Sequence, residues 1–181
     1  MTKVSSCRAL GAADVASAAQ LACLLEASAP KPGNVSPGRH FADARYEDFL
    51  ASAVAIGEPL AGAGMRSLGA TVRLAVEATA RWTRSNTNLG IVLLLVPIAR
   101  AALGETVRLK PDTTSECDSP DSSSDSYVVS GFSRTLRSAV REVLESTTVE
   151  DAREVYAAIR RAASGVVTSC IMPWLPPGPV M

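Results

Sequence analysis

The chain has 181 residues, and its 18 Lys and Arg balance its 18 Asp and Glu, so no long-range field favours nucleic acid or an anionic membrane as the main partner. One domain with a sizeable core is expected at this length. The longest apolar run, Leu89 to Ala99, covers 11 residues, well short of the roughly 20 a membrane-crossing helix needs, and reads as a core helix. Residues 1–6 are polar and precede Ala-rich amphipathic sequence without the compact apolar stretch of a secretory signal, so a soluble, cytoplasmic protein is expected. The cysteines, Cys7, Cys23, Cys117 and Cys170, lie far apart with no CxxC pair. They indicate neither a zinc site nor a disulfide framework, and Cys23 reads as a core residue.

Apolar residues recur at helical spacing in almost every segment, with no sustained period-two alternation, which predicts an all-α fold, a single-domain multi-helix bundle over residues 1–165. Residues 11–28, rich in Ala and Leu, form a first helix whose small side chains let a neighbour approach closely. Tyr46, Phe49, Leu50, Ala53 and Val54 mark one face of a second, with Asp43 placed to cap its start. Leu68, Val72, Ala75, Val76 and Thr79 mark a third. The fourth begins near Asn88 and is apolar on all sides through Val96, as a central helix surrounded by others would be; Pro97 is a candidate kink. Further on, Leu136, Val140, Val143 and Leu144 form one stripe, and Val149, Ala152, Val155, Tyr156 and Ile159 another. Thr147 and Glu150 have capping-box spacing between the two.

Two segments depart from this pattern. Residues 115–126 contain six Ser and three Asp and cannot bury enough apolar surface to offset ordering, so a flexible acidic insert is expected over 106–133. The tail, 166–181, has no charged residue and carries four prolines in its last nine positions, which excludes a terminal helix. Its Ile171, Met172, Trp174 and Leu175 need covering, and a homodimer is one way to provide it.

Chemistry concentrates in two polar loops. Over Glu26 to Asp43 the chain reads EASAPKPGNVSPGRHFAD: two prolines restrict the backbone around Lys31, and Gly33 allows a tight bend or close ligand approach. Glu26, Lys31, Asn34, Arg39, His40 and Asp43 supply carboxylates, cations and an amide, a mixture suited to polyphosphate and a divalent cation. An ordinary interhelical loop with a capping Asp43 fits the same residues. Thr83 to Gly90, TRSNTNLG, stands immediately before the apolar helix. Asn86, Thr87 and Asn88 are good N-cap residues, and a helix start also attracts phosphate, so cap and anion site look alike here. His40, the only histidine, reads as solvated, and Trp82 as either core or a base-stacking residue.

Together the two loops resemble the signature of the triphosphoribosyl-dephospho-CoA synthase family. The resemblance rests on Glu26, on Ala29-Pro30-Lys31-Pro32-Gly33-Asn34-Val35, on Phe41-Ala42-Asp43, on Tyr46 to Phe49, and on Asn86-Thr87-Asn88-Leu89-Gly90. It extends more loosely over 12–104 and resumes over 135–162. It implies an all-helical, ATP-binding transferase of prosthetic-group biosynthesis, acting on ATP and dephospho-CoA or a related nucleotide, with no nucleic-acid or membrane partner. The reaction it implies moves the triphosphoribosyl group of ATP to the ribose 2'-hydroxyl of 3'-dephospho-CoA and releases adenine. On that basis Glu26 and Asp43 are expected as catalytic and Mg²⁺-binding carboxylates. Lys31, Gly33, Asn34, Asn86, Thr87 and Asn88 are expected to bind nucleotide phosphate. Relative to the family pattern the chain carries the 106–133 insert and ends early, so the alternative expectation is a truncated, inactive homologue that binds nucleotide or serves as a helical interaction protein.

Overall fold

The computed structural model describes the backbone of residues 10–104 and 124–163, and the side chains of all of these except 124–134. The described residues form seven helices and no strand: α1 (Ala12–Ser28), α2 (Tyr46–Ala55), α3 (Gly57–Ala61), α4 (Leu68–Ala80), α5 (Leu89–Leu103), α6 (Ser124–Glu145) and α7 (Val149–Ala163). The fold is all-α, as the periodicity predicts. No helix among these residues is long and apolar enough to cross a membrane.

One apolar cluster joins six of the helices. Val15, Ala19 and Cys23 of α1 meet Ala53, Ile56 and Leu60 of the α2–α3 segment, Val72, Ala75 and Val76 of α4, and Val92, Val96 and Ala99 of α5; Ala158 of α7 completes it. The aliphatic residues among these that are buried completely each contribute about 1.5 to 3 kcal/mol through removal from water. The short helix α3, which periodicity does not single out, lets the chain turn within the core. There Gln20 lies against Gly57 and its side-chain amide donates to the Val54 carbonyl at 2.9 Å.

α5 packs against α1, α3, α4 and α6 and continues as one helix through Pro97. Its apolar surface is not covered all round, because Leu94 is 62% exposed. α6 begins at Ser124, so the last ten residues of the expected acidic insert, 124–133, are helical, a correction to that boundary. The reason lies in spacing: Val128 and Phe132 precede Leu136 at four-residue intervals, which continues the α6 stripe backwards. The remainder of the insert and the 166–181 tail lie outside the described residues.

The expected caps are also corrected. α2 is capped by Asp48, whose carboxylate accepts from the Arg45 amide at 2.9 Å, and not by Asp43. At α7 the box is Thr148 and Asp151, one position beyond the Thr147 and Glu150 pair. The Asp151 amide donates to the Thr148 hydroxyl at 3.2 Å, and the Thr148 amide donates to the Asp151 carboxylate at 3.0 Å. That shift follows from packing. The inward face of α7 carries Asp151, Val155, Ala158 and Ala162, whereas Val149 is 71% exposed and Tyr156 points outward.

Asp151 holds two helices at once. Besides capping α7, its carboxylate accepts from the Gly69 amide in the first turn of α4 at 2.8 Å. Burial alone raises an aspartate pKa, but the Gly69 and Thr148 amides and the Thr148 and Ser67 hydroxyls outweigh it and hold Asp151 at about 2. A Cβ on Gly69 would lie 2.6 Å from the Asp151 Cα, so glycine is what lets α4 and α7 approach this closely. Arg73 reinforces the junction by pairing with Glu77, four residues along α4, and with Glu154 of α7.

Candidate active site

The last two turns of α1 carry Cys23 and Glu26, and its end at Ser28 leads into the first polar loop. Two Pro-Gly turns shape that loop. The Asn34 amide donates to the Lys31 carbonyl at 3.3 Å across Pro32-Gly33. Ser36 and Arg39 exchange backbone bonds of 2.8 and 3.1 Å across Pro37-Gly38. Gly33 and Gly38 have φ of 72° and 77°, the left-handed conformation that a type II turn requires after proline. Val35 and Ser36, between the turns, are buried and anchor the loop to the body.

The second loop is tied to the first and to the core by polar contacts. The Ser85 hydroxyl bonds to the Asp43 carbonyl, and the Thr87 hydroxyl pairs with that of Ser52 on α2. The Asn88 side-chain amide donates to Thr79 Oγ1 of α4 at 2.9 Å and to the Ser52 carbonyl at 3.4 Å. Asn88 is the N-cap of α5, but its side chain makes no cap bond. Instead the Asn86 side chain accepts from the Leu89 amide at 3.2 Å. Helix geometry leaves the Gly90 and Ile91 amides without an acceptor inside α5.

These elements border an open cavity of about 550 Å³ lined on one side by Cys23, Glu26 and Asn34 and on the other by Asn86, Thr87, Asn88 and Gly90. Phe49, Ala53, Ile91 and Leu94 supply its apolar wall, which gives the uncovered Leu94 a place in the structure. Asn34 lines the cavity, and its Nδ2 is buried with no hydrogen-bond partner. A Cβ on Gly90 would meet nothing within 4 Å, so nothing in the packing forces glycine there. Glu26 forms an ion pair with Lys31, and each side chain is 42% exposed. The Cys23 thiol is pushed up to about 11 by burial and by the nearby Glu26 charge, which disfavours the thiolate.

The cavity thus brings together Glu26, Asn34, Asn86, Thr87 and Asn88 from the sequence-expected set. Lys31 lies at the edge of a neighbouring cavity and joins the first through Glu26. Gly33 shapes the turn between them. Asp43 does not line the first cavity, and its carbonyl holds the two loops together. His40 Nδ1 accepts from the Tyr46 amide at 3.3 Å at the start of α2, and Trp82 is 69% exposed. Residue types alone do not single out Phe49, Ile91 or Leu94. The signal that finds Ile91 and Leu94 is an apolar run too continuous for a helix with one open face, and nothing comparable marks Phe49.

The electrostatics of the helix starts add to this. α1, α2 and α7 each carry an aspartate in the third position, Asp14, Asp48 and Asp151, bonded to the preceding cap amide. α4 borrows Asp151. α5 has no acid in its first turn, so the partial positive charge of its N-terminus is free to meet an anion in the cavity.

The described residues thus form an all-helical body with a cavity at the acid-free start of α5. Residues 12–173 match the model of the family CitG: ATP:dephospho-CoA triphosphoribosyl transferase, and the chain belongs to that family. No curated protein and no solved structure matches it.

Proposed function

We propose that this chain transfers the triphosphoribosyl group of ATP to the ribose 2'-hydroxyl of 3'-dephospho-CoA. The observation that carries the reading is the single cavity that joins Glu26 and the unpartnered Asn34 amide to the acid-free start of α5. The triphosphate lies against the Gly90 and Ile91 amides, with Asn34 donating a further hydrogen bond.

In the reaction the bond from ribose C1' to adenine N9 breaks and its electron pair leaves with the base. The acceptor oxygen bonds to C1', its proton passes to the Glu26 carboxylate, and adenine takes up one proton as it departs. The negative charge of Glu26 also stabilises the cationic ribosyl centre. The apolar wall of Phe49, Ile91 and Leu94 keeps water from competing for that centre.

Glu26 is the one carboxylate lining this cavity, and the described residues contain no group of three or more His, Cys, Asp or Glu able to hold a metal. Mg²⁺ would therefore be held mainly by the nucleotide phosphates, since it commonly takes only one or two carboxylates and keeps several waters, and Glu26 serves as the base. When bound, the ion neutralises phosphate charge. Asp43 takes a supporting role, joining the loops through its carbonyl.

The test is adenine release, followed by chromatography, from the full chain with ATP, Mg²⁺ and dephospho-CoA. We expect release by the native protein and a decrease of about 10² to 10⁴-fold in E26Q, the range for loss of a general base. Absence of adenine with native protein that binds ATP would leave the alternative, a nucleotide-binding homologue without turnover.

A further inference from the structure

Beside the first cavity lies a second of about 540 Å³, lined by Ser28, Pro30, Lys31, Pro32, Ser36, Pro37, Gly38 and Arg39. The boundary between the two is the Glu26–Lys31 ion pair, since Glu26 lines the first cavity and Lys31 the second. Both cations of the second cavity are fixed by turns. Lys31 opens the first Pro-Gly turn and Arg39 closes the second, where it is bonded to Ser36 on both backbone groups. Lys31 is already committed to Glu26. Arg39 has no ion-pair or side-chain hydrogen-bond partner among the described residues, so its guanidinium is the free cation of this wall.

We propose that the second cavity is the subsite for the acceptor and that Arg39 binds its diphosphate. This assignment rests on the transferase reading above and adds where the second substrate sits. A transfer between two anionic nucleotides needs two anion sites placed so that the acceptor hydroxyl meets the donor ribose near the base. Two cavities whose linings are joined by the Glu26–Lys31 ion pair supply that layout. Arginine suits the task, because its planar fork matches phosphate oxygens bidentately. The ion pair also gains a role: an acceptor phosphate beside Lys31 competes for its ammonium and loosens its hold on Glu26 as the acceptor arrives.

The experiment is calorimetric titration of the full chain with 3'-dephospho-CoA and with ATP, each alone and each in the presence of the other. We expect both nucleotides to bind at once. R39A should weaken dephospho-CoA binding about tenfold or more while ATP binding stays within about twofold, and R39K should recover part of the loss. Melting curves of the variants check that the exposed side chain is dispensable for folding. Mutual displacement of the two nucleotides, equal weakening of both in R39A, or no weakening of either would overturn the assignment. Absence of adenine release in the native protein would instead sink the transferase reading, and the binding results would still decide whether the subsite exists.

Discussion

The starts of α4 and α5 resolve one electrostatic problem in opposite ways. Each presents free backbone amides and a partial positive charge, and each has a glycine in its second position, Gly69 or Gly90. At α4 the buried Asp151 carboxylate fills the site, and Gly69 is required because the α7 backbone lies against it. At α5 no acid is present, the space over Gly90 is open, and the cavity takes the place of the carboxylate. The same local feature is used for folding in one case and, in the function proposed above, by the triphosphate in the other. What separates them is the neighbour that tertiary packing brings.

Substitutions on the two sides should therefore fail in different ways. The largest effect expected is on the cavity side, in E26Q, where adenine release falls about 10² to 10⁴-fold while the denaturation midpoint stays near that of the native chain. Next comes D151A, which strips the carboxylate from two helix starts and leaves the Gly69 amide buried and unsatisfied. A loss of about 3 kcal/mol in urea unfolding is expected, with ATP affinity of the remaining folded protein unchanged. A loss below about 0.5 kcal/mol would remove Asp151 from its proposed role.

Acid should expose the same carboxylate. The folded pKa of Asp151 is depressed to about 2 from its ordinary 3.8. Its stabilisation is therefore complete above the unfolded value and is lost as protons bind the unfolded chain more readily. Stability measured by denaturant titration should decline by about 2 kcal/mol between about pH 5 and pH 2. D151N should flatten that part of the profile.

The smallest effect sharpens the contrast most. G90A should keep the melting temperature or raise it, by up to about 1 kcal/mol of helix propensity, because its Cβ meets nothing. ATP binding should nevertheless weaken, since the methyl group projects where a phosphate must approach. G69A should do the reverse and destabilise the fold. If G90A left nucleotide binding intact, the α5 start would lose its claim to the triphosphate.

Much of this was legible in the chain. Helical periodicity predicts the all-α fold and the positions of most helices, because each element must bury one face, and the Pro-Gly and Asn-rich loops stand out as the chemical segments. Caps were less legible: Thr147 with Glu150 and Thr148 with Asp151 both have plausible spacing, and only the approach of α4 selects the second. Apolar spacing alone defines an α7 face without Asp151, the buried aspartate that lies on it. Asp43 and Glu26 looked equivalent as carboxylates, yet only one lines the cavity.

The sequence by itself determined the helical class, the two polar loops and the glycine conformations within Pro-Gly turns, since these depend on residues close together along the chain. Tertiary structure alone decided which helix start is filled and which is open, which carboxylate faces the cavity, and that Lys31 stands between two cavities. Those outcomes depend on contacts between residues far apart in sequence, such as Asp151 with Gly69 and Ser85 with Asp43, and spacing along the chain carries no record of them.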